Sequence, residues 1–146
     1  GAQQLQQDAL LSSCALQLQL AFHFYLREIA DRMAMKNSAA ISSLEELESS
    51  LAQQDKTSSD VTELRDLVQQ SESWLGQLLR WAQASQQSPH KEKEKKSFHS
   101  ENLILAVDIT AQEAEQVSVL TLAEIEHWLE SFRVLVLRQR DISSEF

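Results

Sequence analysis

At 146 residues, with 42% apolar content, the chain is long enough for one domain with a real core and needs no disulfide or metal staple. Its 22 acidic against 13 basic residues leave a net charge of -9, which repels phosphate backbones and anionic membranes and argues against a nucleic-acid or membrane partner. Glycine occurs only at Gly1 and Gly76 and proline only at Pro89, against roughly 7% and 5% in ordinary chains, so the turns that sheets and Gly-rich catalytic loops require are missing and long helices remain.

From Gln3 to Lys36 no glycine or proline intervenes, and Leu11, Cys14, Leu18, Phe22, Tyr25, Ile29 and Met33 recur at spacings of three and four, which predicts helix A. A second stripe, Leu16, Leu20 and Phe24, lies beside the first. Helix A is therefore apolar over much of its circumference and must be covered on more than one side, as a central helix or by dimerisation. The run Leu16 to Leu26, broken by Gln17, Gln19 and His23, is shorter than the roughly 20 apolar residues of a membrane span, and no transmembrane helix is expected.

After a polar turn at Asn37 and Ser38, Ser43 followed by Glu46 reads as a capping box opening helix B, with Leu44, Leu47 and Leu51 inward. Residues 53–59 form a polar loop. Asp60 with Glu63 is expected to cap helix C, whose stripe is Val61, Leu64, Leu67 or Val68, Ser71, Leu75, Leu78 and Ala82, running unbroken to about Gln87. Within it, Gly76 projects onto the polar side with Glu72 and Arg80 and weakens the helix without opening the tryptophan face.

Residues 88–100 hold the sole proline and a mixed-charge run, and read as an exposed linker; Lys91, Lys93, Lys95 and Lys96 are interleaved with Glu92 and Glu94 and fit solvent better than nucleic acid. The run Leu103 to Ile109 is β-like without a partner strand and is expected to lie extended against the helices. Thr121 and Glu124 open helix D, with Leu122, Ile125, Trp128 or Leu129, Phe132 and Leu135 or Val136 inward. The whole is an all-α antiparallel helical bundle of about four helices in a single domain over 1–146, with a long crossing segment before the last helix.

Chemistry-bearing residues are few. His23, between Phe22 and Phe24, reads as a histidine satisfied at the core edge, or as a base in a cleft whose partner group is not evident. Trp74 and Trp81 are seven residues apart on one face with Leu78, a pattern for packing or for a ligand or partner groove. Glu124 and His127 have the Glu-x-x-His spacing of di-iron bundles, but that chemistry needs a second such pair, so a cap and a surface histidine account for them and no metal or cofactor is implied. Cys14 is the only cysteine; no intramolecular disulfide or multi-thiolate zinc site can form, which fits a reducing cytoplasm. No P-loop, Gly-x-Gly-x-x-Gly, His-Glu-x-x-His or Gly-x-Ser-x-Gly motif occurs.

The order of AFHFYLREIA, SESWLGQLLRW and LAEIEHWLESFRVLVLRQR along the chain resembles a family of small uncharacterised proteins of Pseudomonas-like bacteria, a domain of unknown function. The resemblance implies an all-helical fold and a bacterial cytoplasmic origin, and carries no activity or site with it. The reading of the residues favours a non-enzymatic bundle that binds a protein partner or forms a homodimer; the alternative is a small-molecule or metal-dependent enzyme with a pocket between helices.

Overall fold

A computed structural model describes residues 1–86 and 120–145. The expectations for a linker at 88–100 and for the conformation of 101–119 lie outside the described residues.

The described chain is all-α, with five α-helices and one short 3-10 turn at Ser38–Ala40 and no strand among the described residues. Helix α1 spans Ala2–Arg32 and, at 1.5 Å per residue, is about 46 Å long. It ends where Ala34 turns left-handed at φ 54°, and the Lys56 ammonium donates to the carbonyls of Met33 at 2.6 Å and Ala34 at 3.3 Å, satisfying acceptors the helix leaves open. Helix α2, Leu44–Gln53, starts as its sequence indicates: the Glu46 N–H donates to Ser43 Oγ, and the Glu46 carboxylate accepts from the Ser42 N–H. The Ser42 N–H holds the Glu46 carboxyl below its ordinary range.

The expected helix C is two helices. Helix α3 covers Ser59–Gln69 and α4 covers Trp74–Gln86, so the described residues hold one helix more than the pattern predicts for them. Ser58, not Asp60, caps α3, its Oγ accepting from the Val61 N–H; Asp60 sits in the first turn and faces Arg32 at 3.5 Å. Ser73 makes the break between the two helices: its Oγ donates to the Leu67 carbonyl and accepts from the Gly76 N–H, while Arg80 ties down the Ser71 carbonyl. Ser71 is therefore exposed rather than part of the apolar stripe. Gly76 is buried, not on a polar side. A Cβ there would stand 2.6 Å from the Gln70 carbonyl oxygen, so glycine is what lets α4 fold back against the end of α3.

Helix α5, Leu122–Ser144, opens on Thr121, whose Oγ1 accepts from the Glu124 N–H. It runs parallel to α1: Leu11 and Leu120 share a cluster, Tyr25 bonds Gln139, and Glu28 pairs with Arg140. Helix α4 runs against both, with Gln77 bonding Trp128 and the Trp74 ring 5.9 Å from Phe132. The end of α4 and the start of α5 meet in the cluster that holds Trp81, Ala82 and Leu120, and α1 and α5 run parallel because α4 runs against both of them.

Two clusters of side chains fill the interior. One joins the second half of α1 to α2, α3, Leu75 and the end of α5; the other joins Leu11, Ala15 and Leu18 to Trp81, Leu78, Ile125 and Trp128. On α5, Trp128 rather than Leu129 faces inward, both Leu135 and Val136 are buried, and Leu122, expected inside, is exposed. Cys14 is likewise exposed rather than part of the inner stripe. Helix α1 as a whole is long and apolar enough to cross a membrane, which the shorter run Leu16–Leu26 did not indicate; here its inner face packs on α4 and α5.

A polar pin closes one end of the bundle. Gln139 is fully buried, accepts from the Tyr25 hydroxyl at 2.6 Å, and donates to Glu63 at 2.7 Å and to the Asp60 carbonyl at 3.3 Å. Arg32 donates to Tyr25 and Arg138 to Glu63, so α1, α3 and α5 are held in register by groups that are all satisfied.

Candidate functional site

Each turn of α1 offers one row of side chains to the core and another to the outside. The inner row, Leu11, Ala15, Leu18, Phe22, Tyr25 and Ile29, is buried. The second stripe is not covered by any described residue: Leu16 is 42%, Leu20 54% and Phe24 55% exposed, and Leu5 and Leu10 are exposed as well. At about 100° per residue, Leu16, Leu20 and Phe24 form one ridge of i, i+4 neighbours on the side of α1 away from the core.

The residues that flank the ridge carry no charge apart from Arg27. Three residues behind each member stand Ser13, Gln17 and Ala21, and three residues ahead stand Gln19, His23 and Arg27. No Asp, Glu, Lys or Arg occurs between Asp8 and Arg27. Soluble helices ordinarily dress their outer face in charge, and depletion of charge around apolar side chains marks the core of a protein interface. At the C-terminal end the Arg27 guanidinium lies 5.5 Å from the Phe24 ring centroid, a cation–π contact, while its Nε donates to the Ile41 carbonyl.

His23 belongs to this face. It is half-buried, with its ring centroid 6.1 Å from that of Phe22, and burial, reinforced by the Arg27 charge, lowers its pKa. At neutral pH the ring is therefore uncharged, in keeping with an apolar surround. It lines neither of the two described hollows. One hollow, of about 570 Å³, lies between the start of α1 and Leu120–Leu122; the other, of about 340 Å³, is lined by Trp74, Glu63, Glu130, Val134 and Arg138 among others. The carboxylates of the second are engaged: Glu130 takes both Arg133 donors, and Glu63 takes Arg138 and Gln139.

The tryptophans part company. Trp81 is buried among Leu11, Ala15 and Leu18, whereas Trp74 is half-buried where the two clusters meet and opens on the smaller hollow. The structure brings neither of them to His23. Glu124 serves at the cap through its N–H, and His127 is exposed. Among the described residues, no three His, Cys, Asp or Glu side chains gather where they could hold a metal ion.

The lack of charge from Ala9 to Leu26 is the part of this face that the hydrophobic pattern alone misses, because serine, glutamine and neutral histidine carry no apolar signal.

The model of a family of unknown function, DUF6586, matches residues 2–146. No curated protein and no solved structure matches the chain.

Proposed function

We propose that this chain, which belongs to the DUF6586 family of unknown function, is a non-enzymatic helical-bundle protein that acts by protein–protein interaction or self-association, through the outer face of α1. The observation that carries the reading is the ridge Leu16, Leu20 and Phe24, exposed within an 18-residue stretch free of charge. Exposed apolar side chains scattered singly need no explanation, but a row of them along a helix, without a charged residue to hold water, loses free energy until it is covered.

The same reading extends to a bacterial cytoplasm as the compartment, without a nucleic-acid or membrane partner. The lone exposed thiol of Cys14 suits a reducing compartment, and a net charge of -9 opposes approach to phosphates and anionic lipid headgroups.

Site-specific photo-crosslinking in the source cells tests the proposal. Benzoylphenylalanine placed at Leu20 should give discrete protein adducts on illumination, while the same group at Glu45, on the exposed side of α2, should give none. Absence of adducts at Leu20, or equal adducts at both positions, would overturn it.

A further inference from the structure

We draw no further inference here: the strongest candidate, the apolar surface patch that Leu16, Leu20 and Phe24 form on the outer face of α1, belongs to the site already described, and nothing in the structure shows what covers it.

Discussion

Phe22 and Phe24 stand two residues apart on α1, and they differ in almost everything except their side chain. Phe22 is 2% exposed and packs with Tyr25, Leu26 and Ile29 in the main cluster, while Phe24 is 55% exposed on the opposite side, with the Arg27 guanidinium 5.5 Å from its ring centroid. The contrast extends along the helix, with Ala15 buried against Leu16 exposed and Leu18 buried against Leu20 exposed, as a covered inner row against an open outer one. Apolar content alone therefore does not say which residues build the fold and which are left for a partner; the second row is redundant for folding.

The largest expected effect tests that contrast at its sharpest. Phe22→Ala should cost about 3–5 kcal/mol of unfolding free energy through lost burial and the cavity left behind. Phe24→Ala, read by the same urea titration at concentrations where the chain is monomeric, should stay within about 0.5 kcal/mol of wild type. Similar losses at both positions would break the comparison.

Two substitutions on the covered side sharpen it. Gln139→Leu should destabilise by about 1–3 kcal/mol, although it replaces a polar core residue with an apolar one, because Tyr25 loses its acceptor and Glu63 a donor. Gly76→Ala adds a helix-favouring residue, worth up to about 1 kcal/mol on propensity, but its Cβ would press on the Gln70 carbonyl, so a net loss of about 1–2 kcal/mol is expected by thermal or urea unfolding. A gain in stability would mean that the α3–α4 turn yields easily.

The smallest effect concerns the ion pair that joins α1 to α5 beside the open face. Arg140 donates twice to Glu28, and that pairing, its hydrogen bonds foremost, lowers the Glu28 pKa. A carboxyl depressed in the folded state contributes stability above its unfolded pKa of about 4.3 and loses it as the pH falls through the lower folded value. Both groups are partly in water, so the contribution at pH 7 is about 0.5 kcal/mol or less. Glu28→Gln should remove it at pH 7 and change little at pH 3, as followed by urea unfolding at the two pH values.

The helical class was legible because glycine and proline are so scarce, and the starts of α2 and α5 because Ser43 and Thr121 each stand three residues before a glutamate. The break between α3 and α4 was hidden because residues 70–73 hold no proline or glycine: a single serine hydroxyl satisfying both helix ends carries it, and the glycine it needs, Gly76, stands inside α4. Gly76 is legible as a weak point in a helix but not as a clearance, since the atom it avoids belongs to a backbone six residues earlier that only the turn brings close. Gln139 carries no apolar signal, and its burial follows from partners on α1 and α3, 114 residues away in the case of Tyr25. For the candidate face, the second stripe was visible in the pattern, but a pattern cannot say which of two stripes the rest of the chain will cover; Leu122 and Leu129 on α5 show the same ambiguity.

The central claim is that the inner row of α1 maintains the fold while the outer row meets a partner, and Leu20→Arg measured two ways on the same preparation tests it most directly. The account predicts an unfolding free energy within about 0.5 kcal/mol of wild type, together with loss of the photo-crosslinked adduct formed by benzoylphenylalanine at Phe24. A destabilisation of the size expected for Phe22→Ala, or an adduct that persists unchanged, would contradict it.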